Sequence, residues 1–471
     1  MPRFTRPLWA LAATAILGSA VSAATLLDQP FPTRNRLDVV GFELTKPGEI
    51  TIDAAGLGAS NADELVAYAW IIDHQTRKVV WEMQRSETDR SWGKKYLRKA
   101  AQDQVFSRGK YELYIYTGDD QTWFFDTGDK SVVNVIGGLF SGNSRSFREQ
   151  LADCYVKLES NDISATEYLQ FDPDGKVPGA LFEANKLDDD EYIEQAFTLD
   201  KPTNLRVYML LEDPSGYDTP VDFGWIVNAD TRETVWSAAE ERSLRAGGGK
   251  KNRKVDSDVS LAKGNYILCY TTDDSHSYRR FNAPPPYDPL NWGVTLLPGS
   301  GFEPASFHLS KLPADPDPLI DLTEVGDGES REAKFTLTKE TRLRVRAIGE
   351  WSSGDDEFVD YGWIESEGSS RVVWEMTDRN TRYAGGADKN RIFEGEVTLP
   401  AGDYVVSYTT DDSHSYEDWN SGHPWLEHAW GIALYPGQGF DASAFKTSSK
   451  TGDNRYHKNR SRGRGNSRSG L

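Results

Sequence analysis

The chain has 471 residues, with 53 Lys and Arg against 73 Asp and Glu, a net charge of −20 and 38% hydrophobic residues. That is too polar for multiple membrane spans, while 12% aromatic residues is too many for a disordered chain. Two cysteines exclude a disulfide scaffold, and neither a Cys-x-x-Cys nor a His-Glu-x-x-His spacing occurs.

Residues 1–23 read as a secretory signal peptide. Arg3 and Arg6 form a basic start, Pro7 to Ala20 is apolar, and Val21-Ser22-Ala23 offers small residues for cleavage. The apolar run is shorter than the roughly 20 residues of a spanning helix, so the expectation is a secreted or periplasmic protein without a membrane span after cleavage. An uncleaved anchor is the alternative.

A repeat organises the rest of the chain. Tyr270 to Tyr278 reads YTTDDSHSY and recurs identically at Tyr408 to Tyr416, a shift of 138 that also relates Trp225 to Trp363, Trp236 to Trp374 and Trp292 to Trp430. A worn copy lies upstream at a shift of 155, pairing Phe42 with Phe197, Trp70 with Trp225, Gly93 with Gly248 and Arg98 with Arg253. The expected domains are repeat 1 at 24–136, a helical linker at 137–180, repeat 2 at 181–316 and repeat 3 at 317–446. In the linker, Ser146-Phe147-Arg148-Glu149 reads as a capping box, and Phe147, Leu151, Cys154, Tyr155 and Leu158 come after it at helical spacing. Pro313 to Pro318 separates the last two repeats.

Within repeat 3, Ala333–Leu337, Leu343–Ala347, Tyr361–Ile364, Val372–Met376, Ile392–Leu399, Tyr404–Thr409 and Ala429–Leu434 read as strands, being rich in β-branched and aromatic residues between Gly and Pro clusters. No segment is long enough for a βαβ crossover, so the fold class is all-β: three tandem antiparallel β-sandwich domains of jelly-roll or Greek-key type with one short helical linker. Gly402-x-Tyr404, Gly264-x-Tyr266 and Gly109-x-Tyr111 each enter a strand after a turn and predict tyrosine corners.

The tail at 447–471 is basic and poor in aromatics. From Lys446 onward there are eight Lys and Arg against one acid. It reads as a solvated disordered end, or as a contact for an anionic envelope polymer. The acidic body repels nucleic acid and bare anionic lipid.

The glycine-then-tyrosine entries, with Phe335-x-Leu337-x-Lys339, resemble the bacterial pre-peptidase C-terminal jelly-roll modules. That resemblance implies non-catalytic appendages of secreted enzymes. It covers scattered strand positions only and says nothing of the DDSHSY or Lys-Asn-Arg segments.

If strands alternate direction, every second loop meets at one pole. In repeat 3 the first of those loops carries Asp355, Asp356 and Glu357, the third Gly385-Gly386 with Lys389, Asn390 and Arg391, and the fifth Asp411, Asp412 and His414, with Trp419 and Trp425 as walls. Repeat 2 offers Asp213 and Asp218, then Lys251, Asn252 and Arg253, then Asp273, Asp274 and His276, with Tyr287 and Trp292 near the rim. Repeat 1 keeps Arg98 and Asp119-Asp120 but lacks the histidine and asparagine. An Arg–Asp pair bracing the loops in every copy is therefore expected, with Asn and His left to contact a ligand. The alternative is that DDSHSY is only a hydrogen-bonded turn.

Ser275-His276-Ser277 are neighbours in sequence and do not converge as a nucleophilic triad does. Asp273, Asp274, Asp411 and Asp412 are candidate metal ligands, with Ca²⁺ as the suggested cofactor and Zn²⁺ as the alternative if a histidine joins. Aromatics beside Asp, Asn and Arg also suit a glycan. Two function classes result. The first is a secreted or periplasmic binding or structural protein of the cell envelope whose paired sites bind an extracellular glycan or envelope protein. The second is an envelope hydrolase using Asp411, Asp412 and His414. Cys154 and Cys269 are either bridged or two buried thiols.

Overall fold

The computed structural model describes residues 23–33, 35–58, 65–91, 94, 96–118, 149–214, 220–354, 356–447 and 452–453. The signal segment up to Ser22, the capping-box residues Ser146 to Arg148, and Gly93, Asp119, Asp120, Asp218 and Asp355 lie outside them, as does most of the basic tail. The chain is almost all β, built from antiparallel sheets of barrel-like and half-barrel form. Among the described residues, no helix is long and apolar enough to cross a membrane.

By compactness the chain divides into two units, Met1–Pro173 and Asp174–Leu471. In the first, the sheet order is Ala24–Pro30, Tyr155–Ser160, Gly48–Gly58, Leu65–Asp73, Gly109–Thr117, Arg36–Leu44 and Tyr168–Phe171. Leu97–Phe106 also pairs along the length of Gly48–Gly58. Phe42, Phe106, Tyr111 and Tyr168 pack in the core, with Phe42 stacked on Tyr111 and on Tyr168.

The linker expectation is corrected here. Among the described residues of that segment only 149–151 are helical, and Tyr155–Ser160 is a strand paired with both Ala24–Pro30 and Gly48–Gly58. Its buried side chains are Val156, Leu158 and Ser160, a period of two. The apolar residues at 151–158 fit a helical period only because they run from the short helix at 149–151 through a turn into a strand.

The second unit contains both closely matching repeats. In repeat 2, one five-stranded sheet runs Phe182–Asn185, Gly293–Pro298, Thr203–Glu212, Asn252–Leu261 and Leu244–Arg245. The other runs Thr234–Ser237, Phe223–Asn228, Gly264–Thr271, Tyr192–Leu199 and Phe307–Ser310. Repeat 3 has the same arrangement, and all seven strands expected there occur, five with wider bounds, such as Thr341–Ser352 for Leu343–Ala347, and two shifted, Arg371–Glu375 for Val372–Met376 and Gly431–Pro436 for Ala429–Leu434. Its hairpin of Thr341–Ser352 with Glu357–Ser366 joins the two sheets, a join that repeat 2 reduces to the bridge between Glu212 and Asp222.

The three tyrosine corners are present. Tyr111, Tyr266 and Tyr404 each donate from the hydroxyl to the carbonyl four residues upstream, on Ser107, Ala262 and Pro400, at 2.9, 2.9 and 3.0 Å.

Repeats 2 and 3 form one unit because their junction is packed and charged. Trp425 of repeat 3 stacks on Tyr192 and lies against Trp225 of repeat 2, and the Arg382 guanidinium sits 4.9 Å from the Trp225 ring centre. The segment containing Pro313 to Pro318 is not a loose linker. Asp315 accepts from both Nη atoms of Arg344 at 2.9 Å, from Arg346 at 2.8 Å and from Arg232 at 3.3 Å.

Cys154 and Cys269 are both buried free thiols. Burial pushes each up to about 12, so neither is a reactive thiolate.

Candidate functional site

The three loops named from each of repeats 2 and 3 do meet, and they are tied together by the same hydrogen bonds in both copies. The first and third loops join through Asp213 N donating to Lys251 O and Trp351 N to Lys389 O, both at 2.9 Å. The strand closing the first loop holds the start of DDSHSY: Asp222 Oδ1 accepts from Asp273 N at 2.8 Å, and Asp360 Oδ1 from Asp411 N at 2.7 Å.

Asparagine and histidine close the clamp. Asn252 Nδ2 donates to Gly247 O and Pro284 O, and Asn390 Nδ2 donates to Gly385 O and Gly422 O. This leaves the amide oxygens to the imidazoles, with His276 Nε2 at 2.5 Å from Asn252 Oδ1 and His414 Nε2 at 2.7 Å from Asn390 Oδ1. Because the amide oxygen can only accept, Nε2 carries the proton in both rings, and the neutral His276 takes its second bond at Nδ1 from the Asn282 amide 2.9 Å away, turned to donate. Both histidines are fully buried and sit in the left-handed region at φ 58° and 57°. Burial, with the nearby lysine, lowers His276 well below its ordinary value and His414 to about 4. A neutral imidazole held as a donor at pH 7 is a structural strut.

The glycine-rich third loop is needed for close approach. Gly248 and Gly386 have φ of 60° and 69°, and a Cβ there would lie 2.0 Å from Pro285 O and 2.1 Å from His423 O. Trp292, expected near the rim, and Trp430, expected within the strand Ala429–Leu434, are fully buried beneath the clamp, each edge-on to its histidine.

The structure therefore places the expected residues in two layers. His276, His414, Asn252 and Asn390 are interior, and direct ligand contact by them is not available while the loops are closed. Asp274 and Asp412 are exposed, while Lys251, Lys389, Arg253, Arg391, Asp273 and Asp411 are half-buried.

The arginine does brace a loop in every copy, with a different partner from the one expected. Arg98 bonds Thr88 through Oγ1 and the carbonyl, Arg253 bonds Ser243 the same way, and Arg391 bonds Thr381. The common acceptor is a Ser or Thr and its backbone; Asp213 at 4.0 Å and Asp378 at 3.4 Å are additions to Arg253 and Arg391.

Sequence reasoning missed Glu212 and Asp222 with their counterparts Glu350 and Asp360. These lie under the loops beside Asp273 and Asp411. Burial drives Glu212 up to about 7, Asp273 to about 6 and Asp360 to about 8, and raises Asp222 and Glu350. The available signal was that all three acids recur at the 138-residue shift and become Leu57, Ala67 and Gly118 in the worn copy.

No protein-family model matches the chain, and no curated protein is significantly similar to it.

Proposed function

We propose that this is a secreted or periplasmic binding or structural protein of the cell envelope, made of three tandem β-sandwich domains, whose two well-preserved poles engage an extracellular glycan or an envelope protein. The observation that carries the reading is the duplicated clamp: two copies keep the same His–Asn–backbone network, while repeat 1 has Leu97 in place of the asparagine and no matching histidine. Fully buried polar struts of this kind fix loop shape at a cost in polar desolvation that a simple turn does not need. What the fixed loops present to solvent is polar: Asp274, Arg279 and Arg280 in repeat 2, and Asp412, Glu417 and Asp418 in repeat 3, beside the half-buried Tyr278 and Tyr416. In this reading the exposed residues touch the ligand, and histidine and asparagine set their positions.

Hydrolysis is the weaker reading. His414 is sealed from solvent and already donates from Nε2, and Asp411 Oδ1 accepts from Ser413 N, so neither is presented to a substrate.

Screening the secreted chain against envelope glycans and peptidoglycan fragments tests the proposal. Binding that falls in the Asp274→Ala/Asp412→Ala double variant, with unchanged melting, supports it. A double variant that binds as wild type, or no binding by the wild-type chain, overturns it.

A further inference from the structure

Beneath each clamp lies a group of carboxylates that the hydrogen bonds around it satisfy only in part. One oxygen each from Glu212, Asp222 and Asp273 lie within 4.8 Å of one another, as do oxygens from Glu350, Asp360 and Asp411. Glutamate and aspartate face each other across paired strands, and the second aspartate opens DDSHSY. Asp189 and Asp327 add negative charge from a fourth element in each copy.

Among the described residues one ammonium group faces these acids in each copy: Lys251 Nζ lies 2.8 Å from Glu212 Oε1, and Lys389 Nζ lies 3.0 Å from Glu350 Oε1. Several carboxylates against one ammonium in a buried place is unfavourable unless something else neutralises them.

A second observation concerns individual oxygens. Glu212 is 3% exposed and Glu350 8%, and in each the Oε2 oxygen has no hydrogen-bond partner. Buried polar atoms are nearly always paired, so such oxygens call for a partner of another kind.

We propose that the trios Glu212/Asp222/Asp273 and Glu350/Asp360/Asp411 each bind one hard divalent cation, Ca²⁺ before Mg²⁺. The donors are all oxygen, with no thiolate or imidazole among them, which suits Ca²⁺, Mg²⁺ or Mn²⁺ rather than Zn²⁺. Carboxylates converging from two strands and a loop give the irregular coordination that Ca²⁺ accepts and Mg²⁺ resists. The site differs from the adjacent pairs Asp273-Asp274 and Asp411-Asp412, because Asp274 and Asp412 point to solvent. Lys251 and Lys389 compete with the cation, and their side chains, 20% and 25% exposed, reach solvent when it binds. The cation then ties the first loop to the fifth, and repeat 1, with Leu57, Ala67 and Gly118, holds none. This inference stands whether or not a polymer binds the poles.

The test uses the full chain, stripped with chelator and titrated with CaCl₂ and MgCl₂ by calorimetry. Two Ca²⁺ per chain are expected, with melting raised by about 5 °C at about 100 times the dissociation constant. Trp292 Nε1 donates to Asp222 Oδ2 at 3.2 Å, so Tb³⁺ in that site should emit on tryptophan excitation and be displaced by Ca²⁺. Glu212→Gln/Glu350→Gln keeps the side-chain shape and should weaken Ca²⁺ binding at least about tenfold, whereas Lys251→Met/Lys389→Met should tighten it. Neither Ca²⁺ nor Mg²⁺ binding at millimolar concentration, or a glutamine variant that binds as wild type, overturns the proposal. Loss of polymer binding with cation binding intact would count against the proposed function alone.

Discussion

Trp425 stacks on Tyr192 with ring centres 4.3 Å apart and planes 9° from parallel, so a loop of repeat 3 completes the outer face of a sheet in repeat 2. The contact replaces solvent over Trp225 and Cys269, which repeat 2 alone would leave on an open face. Trp425→Ala is expected to cost about 3 kcal/mol and to split one calorimetric transition of the second unit into two. Asp315→Ala, which leaves Arg232, Arg344 and Arg346 facing one another, should split it as well. A single unsplit transition in both variants would show that the junction is not what joins the repeats.

The second prediction reverses an ordering that sequence alone suggested. Arg391 has a counterpart in the worn repeat and Asn390 does not, which makes the arginine look structural and the asparagine look free for a ligand. Yet Asn390 is fully buried and makes three bonds that close the clamp, whereas Arg391 is half-buried against Thr381 and Asp378. Asn390→Ala leaves the Gly385 carbonyl and the His414 Nε2–H unpaired, while Gly422 O keeps its bond from Ala387 N, and should cost about 3 kcal/mol or more, against about 1 to 2 for Arg391→Ala. Chemical denaturation of the two variants decides between the orderings.

Acid should weaken the first unit through Glu112. Its carboxylate is buried and takes Arg77 in a bidentate pair at 2.7 and 3.0 Å, with His74 and Tyr114 also bonded to it. Burial alone would raise its pKa, but His74, Arg77 and Tyr114 together bring it down to about 2. A folded-state value below the ordinary 4.5 means the stabilisation is complete above that pH and disappears as pH falls toward 2. The loss should reach on the order of 3 kcal/mol, read as rising hydrogen exchange across Gly109–Thr117. Glu112→Gln should lower protection at neutral pH and flatten its dependence on acid.

Removing one tyrosine-corner hydroxyl should be a small and similar change in all three repeats. Tyr111→Phe, Tyr266→Phe and Tyr404→Phe each lose one bond to a carbonyl at the sheet corner, worth about 1 kcal/mol. Denaturant midpoints measured for each variant check this, and a large loss in one repeat alone would mean that its corner bears strain the others lack.

The sequence made the repeats, the seven strands of repeat 3, the tyrosine corners and the meeting of three loops legible, because each depends on local pattern or on exact recurrence. It misled at 155–158, where apolar residues spanning a turn and a strand imitate a helical period. It also separated repeats 2 and 3 at a proline-rich segment, since nothing local says that Asp315 meets three arginines or that Trp425 packs on another repeat. The carboxylate trios were hidden for a related reason. Glu212, Asp222 and Asp273 are far apart in sequence, and only strand pairing makes them neighbours.

The worn repeat has a 118–154 segment between Gly109–Thr117 and Tyr155–Ser160, where repeat 2 spans the same step with 272–292 and repeat 3 with 410–430. A shift of 155 ahead of that segment thus becomes a shift of 138 behind it, with Tyr155 corresponding to Gly293. The first copy has kept its β-framework through a change of length at the very place where its siblings fasten three loops together. The fastening in the other two copies is thus also a constraint on inheritance: an insertion into DDSHSY would break two buried networks at once.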